Sequence, residues 1–360
     1  MANPSVLAVG LMSGTSMDGI DVALIETDGD NIVRPRAFLT IAYDTTFRDS
    51  LARAVAAGRA DSALEQELTR RHAEAIRSLL AEANVSARDI ALIGFHGHTV
   101  FHAPAERRTI QIGDGALLAR LTGISVVNDF RCADVAAGGE GAPLAPVFHR
   151  AIAASLRKPI AVLNIGGVAN VTWIGEDGAL LAFDTGPGNA LIDDWAQRHT
   201  GSPVDKDGAL AARGDVDQSA LAGLMADPYF TRRPPKSLDR NHFRNAAARV
   251  SGLRAEDGAA TLTAFTAAAV TAASQQLPAP VTQWLVTGGG RRNPALMRAL
   301  SKGLAAPVKA MEAIGWDGDA IEAQAFAYMA VRSLNRLPIS FPETTGVPKP
   351  MTGGRLHSPN

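Results

Sequence analysis

Gly10 to Thr27 reads GLMSGTSMDGIDVALIET, and the reading of this chain turns on how that stretch folds. Val6 to Leu11 is a short apolar run, and SGTSMDG is rich in turn residues. Ile20, Val22 and Leu24 then alternate with Asp21, Ala23 and Ile25, so two strands joined by a turn are expected. Asp18-Gly19 is the hairpin signal, because both residues tolerate the positive φ of a tight turn. Ser13-Gly14-Thr15-Ser16 offers backbone N–H groups and hydroxyls to phosphate oxygens with few side chains in the way. Asp18 and Asp21 follow at once, where carboxylates serve to hold Mg²⁺ through water. An ordinary Asp-Gly hairpin accounts for the same residues.

The pattern recurs. Ile160 to Ile165 is apolar, Gly166-Gly167 is a turn, Val168 to Ile174 is a second strand, and Leu180 to Phe183 a third. Strand, glycine turn, strand, strand and helix thus occur near residue 6 and again near residue 160, a duplicated order without a sequence repeat. Between them lie a helix over Ser62 to Ala83, with Ser62 and Glu65 at capping-box spacing, and strands at Ile90–Phe95, Thr109–Ile112 and Ile124–Asn128. Pro143 is expected to open a helix to about Ser155. Further on come a helix over Thr261 to Gln276, a strand Trp284–Thr287 running into Gly288-Gly289-Gly290, and helices over Pro294–Leu304 and Ala320–Leu334. The tail from Pro338 reads as extended or loop. The expected architecture is α/β, with one domain over 1–130 plus about 336–360, a second over 131–335, and a cleft between them.

Composition narrows the function. The 360 residues carry 35 Lys and Arg against 36 Asp and Glu, a balance that argues against nucleic acid as a partner. The Arg pairs, Arg291-Arg292 among them, read mostly as solvated surface. One cysteine, Cys132, excludes an intrachain disulfide framework and a cysteine zinc cluster. Neither a secretory signal nor a membrane span is expected, which points to the cytoplasm. G-x-x-x-x-G-K-[ST], a strand-to-helix G-x-G-x-x-G, H-E-x-x-H and G-x-S-x-G are all missing. What remains is a set of glycine turns at strand ends: Gly14 to Asp21 (Gly14, Thr15, Ser16, Met17, Asp18, Gly19, Ile20, Asp21), Gly166-Gly167, and Gly288-Gly289-Gly290. Three such turns in two duplicated domains suit an actin-like nucleotide cleft.

Other residues sit where ligands collect, at strand ends. Asp184 closes the apolar run Leu180–Phe183; it could take a proton during phosphoryl transfer, or start an Asx-turn or cap the helix near Asn189. His96-Gly97-His98 with His102 lacks a further ligand for a metal and reads as a polar wall, His98 facing substrate. Asp129 and Arg131 follow another strand. Arg131 could bind a substrate carboxylate or pair with Asp129 or Asp134. Asn189 joins the substrate set. Glu322 is a helix N-terminal acid or a cleft residue.

GLMSGTSMDGIDVAL, GFHGHTVFH, QIGDGALLA, NDFRCADVAAGGEGAPLAP, NIGGVANVTWI, FDTGPGNALID, VTGGGRRNPALM and EAQAFAYMA together resemble the anhydro-N-acetylmuramic acid kinases, in order and over nearly the whole chain. The resemblance implies a two-domain actin, Hsp70 and hexokinase-like fold, a duplicated ribonuclease H-like architecture with a central nucleotide cleft. It implies ATP and Mg²⁺ as cofactors, 1,6-anhydro-N-acetylmuramic acid as substrate, and a homodimer. It implies Asp184 as the base that activates water, Glu322 as an acid that positions it, and Gly14 to Asp21 as an ATP segment. A hexosamine kinase acting on a free sugar, and an actin-like ATPase switch, are the alternatives.

Overall fold

The structure is a computed structural model that describes residues 3–14, 16–238 and 242–360. The chain divides into two compact units, 1–155 with 320–360, and 156–319. Both boundaries differ from the expected ones. Residues 131–155 and the helix Ile321–Leu334 belong with the first unit, because that helix packs on the first unit's central strands.

Strands of the first unit are β1 (Val6–Met12), β2 (Gly19–Thr27), β3 (Val33–Ala42), β4 (Ile90–Phe95), β5 (His98–Ala103), β6 (Arg108–Ile112) and β7 (Val126–Asn128). Those of the second are β8 (Ile160–Ile165), β9 (Val168–Ile174), β10 (Leu180–Pro187), β11 (Trp284–Thr287) and β12 (Val308–Ala310); β13 (Arg355–His357) returns to the first. The first sheet has the order β13-β7-β4-β1-β2-β3 and the second β10-β9-β8-β11-β12, while β5 and β6 form a separate hairpin. In each sheet three consecutive strands run antiparallel, and the first of the three pairs in parallel with the next strand to join. A further parallel strand follows, β7 on β4 and β12 on β11. The duplication read from the order of elements is therefore a duplication of sheet topology.

Packing explains the glycines of the first sheet. The helix Ile321–Leu334 is buried at every position from Ile321 to Arg332 except Glu322. It lies so close to β1 and β4 that a Cβ on Gly10 would sit 1.8 Å from the Ala323 carbonyl oxygen, and one on Gly94 2.0 Å from that of Phe326. On the opposite side, Leu68, Ile76 and Leu79 of the helix Ser62–Glu82 join Val9, Leu11, Val22 and Ile93 in one apolar cluster. The cap of that helix is Asp61, whose Oδ1 accepts the Leu64 N–H at 2.8 Å; Glu65 instead accepts the Gly113 N–H, so the expected Ser62 capping box is not used. Pro146, not Pro143, opens the next helix, Pro146–Ile152. The tail is not all loop, since β13 pairs with β7. No helix among the described residues is long and apolar enough to cross a membrane.

Gly94→Ala is expected to lower stability by at least about 2 kcal/mol, because the clash is with backbone of a buried helix that has nowhere to move. A thermal or denaturant melt checks this. A loss under about 0.5 kcal/mol, the scale of an ordinary surface change, would mean that the helix is not held as tightly as described.

Candidate active site

In the first unit the parallel strands β1, β4 and β7 all end on one edge of the sheet. Their ends carry the turn after Met12, the His96-Gly97-His98 segment, and Asn128-Asp129. Ligands collect at such an edge because the loops leaving parallel strands converge there.

Ser13, just past β1, is 1% exposed; its Oγ lies 2.9 Å from the Tyr43 hydroxyl and 3.0 Å from His98 Nδ1. It anchors the turn from beneath. Gly14 accepts the Met17 N–H at 3.1 Å, and Ser16 Oγ donates to Asp18 Oδ1 at 2.7 Å. The positive φ falls on Met17, at 54°, and not on the Asp18-Gly19 pair. Gly19 is needed for a different reason: its Cβ would meet the Ile41 carbonyl oxygen at 2.4 Å. Ile20 is buried in the core, and Asp21 accepts from Thr40 Oγ1 at 2.6 Å. Thr15 lies outside the described residues. Among those described, no cluster of three or more His, Cys, Asp or Glu could hold a metal by itself. Asp18, exposed, and Asp21, half-exposed, fit the water-mediated role of Mg²⁺, which takes one or two carboxylates beside phosphates and no protein cage.

His98 is fully buried, so it stands behind the turn and not on an open wall. Burial holds its ring down at about 4, and His72 beneath it likewise at about 4. His96 is also driven well down, first by burial and then by the neighbouring Arg131 guanidinium. Neutral His96 Nε2 accepts from Arg131 Nε at 3.1 Å, while Arg131 Nη1 donates to the Gly141 carbonyl at 2.6 Å. Asp134 accepts from the Gly141 N–H and from Thr345 Oγ1, so it pins two loops. Asp129 has φ 59°, an uncommon conformation for a side-chain-bearing residue. The Cys132 thiol beside it is pushed up to about 12, chiefly by burial and then by the Asp129 carboxylate, which makes it a poor nucleophile. Glu322, in the first turn of its helix, is exposed while its neighbours are buried.

In the second unit Asp184 lies inside β10, where a register shift between Asp184 and Gly186 marks a bulge. Bulges re-aim side chains. Its backbone N–H donates to the Lys236 carbonyl at 3.0 Å, and its own carbonyl accepts from the Tyr229 hydroxyl at 2.6 Å. The carboxylate Oδ2 accepts the Leu238 N–H at 2.7 Å. It is not the cap of the next helix: the helix Ala190–Thr200 begins at Asn189 with no side-chain cap. Asn189 Nδ2 donates to the Ile165 carbonyl at 3.2 Å, and it also borders Gly289 and Gly290, so it braces two glycine turns. The Gly166 and Gly167 carbonyls accept N–H groups from Gly188 to Ala190. Gly288 has φ 75°, and a Cβ there would strike Asn164 Oδ1 at 2.4 Å.

One residue was not singled out from sequence, and another was read differently. Lys236, 2% exposed, donates to the Tyr229 carbonyl at 3.1 Å, and burial lowers its ammonium to about 8, partly offset by Asp184. Nothing in the surrounding RRPPKSL marks it. Arg291 is not solvated surface: burial works against its charge, but hydrogen bonds to Asp319 and Glu312 outweigh that and hold it charged beside the Gly288 carbonyl. A groove of about 760 Å³ runs from Ala295 along the helices Ala255–Ser274 and Pro294–Gly303, lined mainly by alanines.

The neutral buried rings have a consequence for acid stability. The folded state keeps His72 and His98 uncharged below the pH at which the unfolded chain protonates them. Stability is therefore full above about 6.5 and is lost as pH falls towards 4, by up to about 1.4 kcal/mol per pH unit for each ring. Melting temperature followed from pH 7 to 4.5 should fall less steeply in His72→Gln than in the unaltered chain; equal slopes would remove His72 from the cause.

Comparison with known proteins adds the following. A family model described as "AnmK: Anhydro-N-acetylmuramic acid kinase" matches residues 6–358. Curated proteins named anhydro-N-acetylmuramic acid kinase are similar over essentially their full lengths. That of Paramagnetospirillum magneticum is 59% identical, covering 98% of this chain and 100% of the relative; that of Rhizorhabdus wittichii is 55% identical, covering 98% and 99%. Among solved structures, component A of the (R)-2-hydroxyglutaryl-CoA dehydratase of Acidaminococcus fermentans has a TM-score of 0.51 at 16% identity, over 92% of this chain and 100% of that one. That likeness is one of fold alone.

Proposed function

This chain belongs to the anhydro-N-acetylmuramic acid kinase family, and we infer that it opens the 1,6-anhydro bridge of 1,6-anhydro-N-acetylmuramic acid with water while ATP phosphorylates O6. The products are N-acetylmuramic acid 6-phosphate and ADP, a step in the recycling of peptidoglycan. The observation that carries the assignment to particular atoms is the fixing of Asp184: strand, bulge, Leu238 N–H and Tyr229 hydroxyl together set where its carboxylate stands.

In this reading Asp184 takes a proton from water as the water oxygen attacks the anomeric carbon. The C1–O6 bond breaks, O6 attacks the γ-phosphorus, and the bond from that phosphorus to the bridging oxygen of ADP breaks. Glu322, the one exposed acid on a buried helix, positions the water. The Gly14 to Asp21 turn holds phosphate oxygens through backbone N–H groups, and Gly166-Gly167 and Gly288 to Gly290 allow the nucleotide a close backbone approach. Mg²⁺ held by Asp18 and Asp21 through water would neutralise charge on the phosphates. The alanine-lined groove beginning at Ala295 suits the flat apolar faces of a purine. The duplicated sheet order supports reading the units as ribonuclease H-like halves.

The reaction in ¹⁸O-water tests the hydrolytic half: mass analysis is expected to find label at the anomeric hydroxyl and none in the phosphate. Turnover of free N-acetylmuramic acid alone would instead support a hexosamine kinase. Asp184→Asn is expected to lower kcat by roughly 10²–10⁴, the usual worth of a general base, with ATP affinity retained. Near-normal turnover would take Asp184 out of the mechanism.

A further inference from the structure

The segment Tyr229 to Leu238 of the second unit runs past Asp184 and is bonded to it at both ends. The Tyr229 hydroxyl donates to the Asp184 carbonyl at 2.6 Å, the Asp184 N–H donates to the Lys236 carbonyl at 3.0 Å, and the Leu238 N–H donates to the carboxylate at 2.7 Å. The two ends of the segment are held unequally. Tyr229 and Phe230 are buried in an apolar cluster with Leu262, Phe243 and Phe265, and the Phe230 carbonyl accepts from Gln276 Nε2 at 2.7 Å, just beyond the helix Ala255–Ser274. From Arg232 to Leu238 the chain has neither helix nor strand, so no ladder of backbone bonds sets its course.

Lys236 joins the loose end to the fixed one. Its Nζ donates to the Tyr229 carbonyl at 3.1 Å, and it stands 4.7 Å from the centroid of the Tyr229 ring and 5.6 Å from that of Phe183, the residue before Asp184. Burial and then Arg232 act against its charge, while the Asp184 carboxylate supports it. A carbonyl and two ring faces replace only part of the hydration that a buried ammonium gives up. A methionine would fill the same space without that cost, so packing alone does not call for a lysine here. What the ammonium adds is a directed bond across the loop and a positive charge near the carboxylate.

We propose that Lys236 is the positioning residue of the base: its ammonium ties the segment that meets the Asp184 carboxylate to the end anchored in the core, and so holds that carboxylate in the orientation from which it takes a proton. This rests on the function proposed above and deepens it. Lys236 neither gives nor takes a proton in the reaction and acts only through Asp184. The backbone of Lys236 binds the strand that carries the base, and its side chain binds the anchor. Leu238, whose N–H fixes Oδ2, follows close behind it, so a shift of the ammonium is felt at the carboxylate.

Lys236→Met keeps the apolar stem and removes the charge and the donor, whereas Lys236→Arg keeps both. Each is measured by thermal melt, by turnover of the anhydro-sugar with ATP, and by KM for both substrates, alone and combined with Asp184→Asn. Lys236→Met is expected to melt cooperatively, to lower kcat roughly 10- to 100-fold, the scale of a small misplacement of a reacting group, and to leave both KM values within about twofold. Lys236→Arg should recover most of that loss. In the Asp184→Asn background Lys236→Met should cost no more than about a further twofold, because residues that act as a unit are not additive. A merely structural lysine behaves otherwise. Its losses multiply with those of Asp184→Asn, or the Lys236→Met chain fails to fold, and either outcome overturns the assignment. A Lys236→Met kcat within about twofold of the unaltered enzyme also overturns it and leaves the proposed function standing. Absence of any turnover of the anhydro-sugar by the unaltered enzyme overturns the function and this inference with it.

Discussion

The first unit depends on a helix seated directly on two strands with no side chains between their backbones. Gly10 and Gly94 stand side by side in register on β1 and β4, and the Ile321–Leu334 helix rests on both. No other residue type fits, because any Cβ would overlap a carbonyl oxygen of the helix. The close approach requires a helix buried nearly all round, which its run of alanines permits. It also fixes where the first turn of that helix emerges, and Glu322 is the residue at that point. The position of this exposed acid is thereby set by the packing of the very next residue, Ala323, against Gly10.

The same strands fix the other candidate groups of the unit. β1 leads into the turn from Ser13 to Asp18, β4 into His96 and His98, and β7 into Asp129. Their parallel alignment brings these segments to one edge although they are far apart in sequence. The histidines work from within: His98 steadies Ser13, and His96, kept neutral by burial and by Arg131, leaves a lone pair to hold that guanidinium. Neutral imidazoles suit this task because they accept hydrogen bonds from cations and hydroxyls without adding charge to a buried place.

Much of this was legible in the sequence, and the limits have physical causes. The paired strands, the glycine turns and the duplicated order follow from period-two patterning and turn chemistry, which are local. The unit boundary was misplaced because the Ile321–Leu334 helix joins the first unit through contacts with strands more than 200 residues away, which no local pattern reports. Asp18-Gly19 has the composition of a hairpin turn, yet Gly19 is selected by its approach to Ile41. Arg291 reads as surface because its partners Glu312 and Asp319 lie 21 and 28 residues on. Lys236 could not be assigned for the same reason: its place beside Asp184 exists only where distant segments meet.

Asp184 and Glu322 are positioned by opposite devices, and the difference bears on what each can do. Asp184 sits in a bulged strand with its carbonyl, its N–H and one carboxylate oxygen all engaged by the segment from Tyr229 to Leu238. A carboxylate held in this way moves little as charge develops, which suits the base of the proposed reaction. Lys236 donates to the Tyr229 carbonyl, so the ammonium ties down the same segment that holds Asp184. Glu322 stands instead in the first turn of a buried helix, its side chain exposed where its neighbours are buried. In the proposed reaction the two acids are thus set by different parts of the fold, one by a bulged strand and the segment laid against it, the other by the start of a helix packed on the first sheet.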